Sequence, residues 1–247
     1  MGIPLSYERR SSDDVWGDLA PTKEVGLYFN SSFRRKLDDC FVEINKVFAH
    51  RAMKGIISAG AWVDKPGMHK LARAFDLDGI VWEGGNWRAT RFVGGNELKM
   101  YLVIQAICMK HFGTVLGYLY NKAHEDHIHM DDGTEPGFRH NSRSIVTFIQ
   151  QACKTFLGQP LAEVDGSWGP KTAEVMRSAL GLPFEQYPND TQYFAFLDMV
   201  IATVKKEDRR VDQRSEKLEV LYQHSDEEIL KEIRKGLDIL ELRLDDG

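Results

Sequence analysis

Apolar and polar positions along the chain recur with two periods, and the switches between them mark the elements. From Ser32 to about Phe48, the residues Phe33, Leu37, Phe41, Ile44 and Phe48 return at steps of three and four, which predicts a helix with one apolar face. After Gly55, the run Ile56 to Val63 reads as a strand. Arg73 to Trp82 reads as a second strand, and a period of two sets Asp76 and Asp78 on one face. Glu83 to Gly95 carries four glycines and reads as a loop or hairpin. Asn96 is placed to cap a helix reaching about His111, with Leu98, Tyr101, Leu102 and Ile107 inward. Thr114 to Tyr120 and His127 to Met130 are short strand candidates.

These patterns divide the chain into three. Residues 1–140 read as α+β, a small and mostly antiparallel sheet with flanking helices. Pro136 to Ser144 reads as a linker, and residues 141–185 form an all-α pattern around the turn Val164-Asp165-Gly166-Ser167-Trp168-Gly169-Pro170. Residues 186–247 read as a helical tail. In it Leu230, Ile233, Leu237, Leu240 and Leu244 make a narrow apolar seam, led by a capping box of Ser225 and Glu228. A seam barely two heptads long needs a partner. The expected partner is the helix before it, around Phe194 to Leu221, with a second copy or another protein docking through 190–247 as the other option.

Composition narrows the classes. The 247 residues are 43% hydrophobic and 28% charged, ordinary values for a globular protein long enough for one core and a smaller module. A net charge of -5 gives no basic field, so nucleic acid is not expected as the main partner. Cys40, Cys108 and Cys153 are widely spaced and form neither a disulfide framework nor a zinc knuckle. The best apolar run, Tyr101 to Met109, is broken by Gln105 and is too short to span a bilayer. The first twenty residues lack the apolar core of a secretory signal. The protein is therefore expected to stay in the cytoplasm until released or exported.

The chemistry lies in His69, Asp76, Asp126, His127 and His129. A catalytic zinc ion takes three protein ligands and keeps one position for water. Two neutral imidazoles and one carboxylate leave such a site net positive, able to acidify water and polarise a carbonyl. A nearby carboxylate can then take a proton and deliver it to a leaving amine. An H-x-H alone is more often a polar strand edge than a pair of ligands. His124, just before this group, reads as a rim residue, and His50, His111 and His140 as ordinary surface or core histidines. Trp62, Trp82 and Trp87 are candidate groove walls, with packing as the commoner role for such residues.

His69-x6-Asp76, Asp126-x-x-His129 and the stretch Ala72-Arg73-Ala74-Phe75-Asp76-Leu77 resemble the LAS-type zinc peptidases that cleave peptidoglycan stem peptides. This group includes D-alanyl-D-alanine carboxypeptidases, phage L-alanyl-D-glutamate endopeptidases and extensin-like C-terminal domains. The resemblance covers about residues 50–135. It implies zinc ligands at His69, Asp76 and His129, a general base at Asp126, and an oxyanion-stabilising role for His127. Ala72 stands where the family pattern has glycine, and Gly67 where it often has serine. For the substrate-binding arginine the candidates are Arg51, Arg73 and Arg88, with Arg73 carried forward.

A second stretch is similar to three-helix peptidoglycan-binding domains. It comprises Phe148-Ile149-Gln150-Gln151, the turn Val164 to Pro170 with Thr172, and Ala179-Leu180-Gly181-Leu182. This resemblance implies a wall-binding module over about 142–183, with Trp168 as a candidate sugar contact. Together the two imply a zinc-dependent enzyme that cuts stem peptides or cross-links of bacterial peptidoglycan, at a bond involving a D-amino acid. It would act in the periplasm or wall, as a phage endolysin or a secreted antibacterial effector. Two other readings stay open: an inactive peptidoglycan-binding protein, and a scaffold acting through its C-terminal helices.

Overall fold

The computed structural model describes residues 3–6, 26–89, 95–158, 163–183 and 188–204. Helix α1 (Ser31–Val47) starts where Asn30 Oδ1 accepts the Ser32 N–H at 3.0 Å. It buries Phe33, Leu37, Cys40, Phe41, Ile44 and Val47, the face its periodicity predicts. Helix α2 (Gly95–His111) differs: Tyr101 to Met109 are buried all round, Gln105 included. It is the central core helix rather than an amphipathic cover.

A six-stranded sheet lies with these helices. Its strands are β1 (Leu5–Ser6), β2 (Met53–Gly60), β3 (Ala74–Trp82), β4 (Gly85–Arg88), β5 (Thr114–Leu116) and β6 (Ile128–Asp131). They run β1-β2-β3-β6-β5, with β4 also on β3. The sheet is mixed, which corrects the expectation of a mostly antiparallel one. β1 joins β2 in parallel, because α1 lies on the connection between them. A two-residue strand is too short to show a period, so no alternation in the sequence marks it. One edge of β3 is shared. β6 pairs with its first half, Ala74 to Leu77, and β4 with its second, Gly79 to Trp82.

The β2–β3 register shifts between Met53 and Gly55, between Ile57 and Ser58, and between Ser58 and Gly60. The middle shift passes over Asp78 in the β2–β3 register, from Gly79 opposite Ile57 to Leu77 opposite Ser58, so strict alternation does not carry from Asp76 to Asp78. Ser58 staples this bulge. Its hydroxyl donates to the Asp76 carbonyl at 2.8 Å and accepts the Gly60 N–H at 3.0 Å.

The core continues into the C-terminal helices. α3 (Arg143–Leu157) ends at Gly158 in the left-handed region, and α4 (Pro170–Ala179) starts with Pro170 behind Gly169. Residues 190–204 are also helical. Phe148 and Ile149 of α3, Met176 of α4, and Tyr193, Phe196 and Val200 belong to one apolar cluster with α1 and α2. Pro136 to Ser144 is pinned rather than loose. Phe138 N–H donates to Asp190 at 2.7 Å, and Arg139 donates to the Gly113 carbonyl. Residues up to Val204 make one compact unit. The seam Leu230 to Leu244 lies outside the described residues, as does the segment beyond 204 of the helix expected before it.

Candidate metal centre

The centre is built across the β3–β6 ladder. Asp76 of β3 stands opposite His129 of β6 in register. His69 comes from the loop between β2 and β3, which closes when its Nδ1–H donates to the Ala61 carbonyl. That bond leaves Nε2 as the lone-pair nitrogen. Nε2 lies 3.3 Å from Asp76 Oδ2 and 3.3 Å from His129 Nδ1. His129 Nδ1 is 2.8 Å from Asp76 Oδ1. The ligand atoms of these three residues all lie within 4.8 Å of one another, so His69, Asp76 and His129 could hold one metal ion.

The electrostatics fit a cation. Burial works against charge on Asp76, but hydrogen bonds from His129 and His69 outweigh it and hold the carboxyl far below its usual range. Burial also works against the imidazolium of His129. Hydrogen bonds to Asp131 and Asp76 overcome it and push the pKa up to about 9. A divalent cation would take the place of the proton between His129 Nδ1 and Asp76 Oδ1. The donor set of two imidazoles and a carboxylate suits zinc chemistry.

Of the other predicted residues, His127 sits beside this triad and Asp126 sits against His127. His127 Nε2 faces Asp76 Oδ1 at 3.8 Å, and its Nδ1 is 2.8 Å from Asp126 Oδ1. Asp126 thus backs His127, and it is half exposed while His127 is buried. His124, read from sequence as a rim residue, is closer than that. Its ring lies 5.2 Å from His127 and 5.8 Å from His129, and Asn121 Oδ1 holds its Nδ1 at 2.7 Å. Burial, then repulsion from His127 and His129, pushes its pKa down to about 4.

The remaining predicted residues are not drawn to the centre. Arg73 is committed to Asp132, donating from Nε at 2.8 Å to the carboxylate and from Nη2 at 2.8 Å to the carbonyl. Trp168 packs edge-on against Phe138 at 5.0 Å. Arg51 is exposed, and Arg88 lies on β4. Trp82 and Trp87 are buried core residues, whereas Trp62, next to Ala61, is 48% exposed.

Asp131 escaped the sequence reading. Its Oδ2 lies 3.0 Å from His129 Nε2, and its Oδ1 accepts the Gly133 N–H at 2.9 Å. The signal for it was alternation: Asp131 is two residues beyond His129 on β6 and so shares its face. No curated protein and no solved structure matches the chain. Residues 35–141, under half of the chain but containing every residue of the centre, are similar to a family described as the extensin-like protein C-terminus.

Proposed function

We propose that this protein is a zinc-dependent peptidase acting on the stem peptides or cross-links of bacterial peptidoglycan, at a bond involving a D-amino acid. The observation that carries the reading is the convergence of His69 Nε2, Asp76 and His129 Nδ1, with the Asp126–His127 pair beside them. The match of residues 35–141 supports it.

A bound divalent ion would supply a Lewis acid and lower the pKa of a water molecule. The chain's own groups do the rest. His69, Asp76 and His129 would hold the ion. Asp126 takes the proton of the attacking water on a carboxylate oxygen and returns it to the leaving amine. It also orients His127, whose Nε2 faces the centre and, when it carries a proton, donates to the substrate carbonyl oxygen as negative charge develops there. Residues 141–185 act as the wall-binding module. Tethering to an insoluble polymer raises the local concentration of scissile bonds.

The test is incubation of the zinc-loaded full chain with purified sacculi, reading new amines and the masses of released muropeptides. The reading expects new amines from wild type. It expects Asp126→Ala to lose about 10²–10⁴-fold in turnover while retaining its zinc. Intact sacculi with a metal-loaded, folded wild type would favour the inactive wall-binding alternative instead.

A further inference from the structure

Both imidazoles of the centre are gripped from behind, by different partners. His69 gives its outer N–H to a backbone carbonyl, that of Ala61. His129 turns its outer nitrogen, Nε2, toward a carboxylate, Asp131 Oδ2, at 3.0 Å. Asp131 is itself 7% exposed. It is braced from its other oxygen by the Gly133 N–H at 2.9 Å, so it has little freedom to turn away. A carboxylate only accepts, so once a cation replaces the proton on the Asp76 side, the remaining proton of the His129 ring sits on Nε2 against Asp131, leaving the Nδ1 lone pair aimed at Asp76 and His69.

We infer that Asp131 is a positioning residue of the metal centre, fixing the ring orientation and tautomer that let His129 ligate through Nδ1. This rests on the reading of His69, Asp76 and His129 as metal ligands. Asp131 touches neither the ion nor the substrate; it acts through His129. A carboxylate behind a ligating imidazole also raises the basicity of the ligand nitrogen, which strengthens the metal bond. Asn at this position keeps the acceptor for Gly133 but turns an N–H toward Nε2. The ring then moves its proton to Nδ1 and loses the lone pair that faces the ion.

The experiment is a zinc dissociation constant from competition with a chromophoric chelator, on the full-length wild type, Asp131→Asn and His129→Ala. Thermal melts of the metal-free proteins run alongside. Asp131→Asn is expected to bind zinc about 10–100-fold more weakly, with a metal-free melt close to wild type. Equal affinity in Asp131→Asn and wild type would overturn the inference alone. A wild type that binds no zinc would overturn the metal-centre reading and the inference with it. A second measurement does not depend on the variant folding. Long-range proton–nitrogen NMR spectra of the zinc-loaded wild type should show His129 protonated on Nε2 and metallated on Nδ1; the opposite assignment would overturn the inference.

Discussion

At the residue scale, what could be read from the sequence was the set of metal-ligand types, and what could not was their support. His69, Asp76 and His129 are residue types that can ligate a metal, a resemblance singles them out as a set, and the fold brings their ligand atoms together. The Ala61 carbonyl and the Ser58 hydroxyl carry no such mark, because backbone and serine oxygens are everywhere. Only the closed β2–β3 loop shows what they hold. Ala72 is a residue whose oddity is now explained. It has a φ of +55°, the left-handed region, between His69 and Asp76. Glycine adopts that conformation at less steric cost than alanine. Ala72→Gly should leave stability within about 1 kcal/mol, since relief of roughly 1 kcal/mol of left-handed strain is offset by a lost buried methyl of about 0.8 kcal/mol. Ala72→Val, β-branched at positive φ in a buried position, should cost about 1–3 kcal/mol. Urea unfolding of the two variants checks the order; a valine variant as stable as wild type would contradict it.

At the element scale, helices were legible and strand ends were not. The apolar face of α1 shows a full period, and Phe41 meets Phe75 of β3 edge-on at 5.9 Å. The predicted strand Ile56 to Val63 is instead Met53–Gly60, in a pair with three register shifts that blur alternation. The strand from Thr114 stops at Leu116, because the Tyr118 N–H leaves the ladder for Tyr101 Oη at 3.1 Å. Between the helices, Glu43 of α1 accepts from Lys110 at 2.6 Å and His111 at 2.8 Å of α2, and Lys110 also reaches Asp198 at 2.9 Å. Burial works against charge on Glu43, but these bonds outweigh it and lower its pKa. A lowered carboxylate pKa stabilises the fold above its unfolded value of about 4.3, and the gain disappears as pH falls through the folded value. Glu43→Gln should therefore melt below wild type at pH 7, with the gap narrowing as the pH drops below about 4. A gap that does not change between those pH values would contradict this linkage.

At the scale of the whole molecule, the sequence shows modules while the packing shows a shared interior. A helical pattern around a Gly-rich turn sets residues 141–185 apart as read from sequence, and the turn is closed as Asp165-Gly166 suggests. Gly166 has a φ of +74°, and Gln150 receives its N–H at 2.9 Å and donates to Asp165 at 2.9 Å. What sequence cannot show is that α3 and the helix at 190–204 share one apolar cluster with α1 and α2. Shared burial depends on tertiary contacts between distant segments, which no local period reports. A chain ending at residue 140 should consequently melt well below the full chain or aggregate, by light scattering and calorimetry. An unchanged, cooperative melt would contradict the shared core.

The proposed function requires one cation held by three side chains, His69, Asp76 and His129. Native mass spectrometry of the full chain, dialysed after zinc loading, tests this most directly. It should show one zinc ion per wild-type chain and none on a folded Asp76→Ala variant. A wild type that keeps no zinc, or a variant that keeps as much as the wild type, would contradict the centre described here.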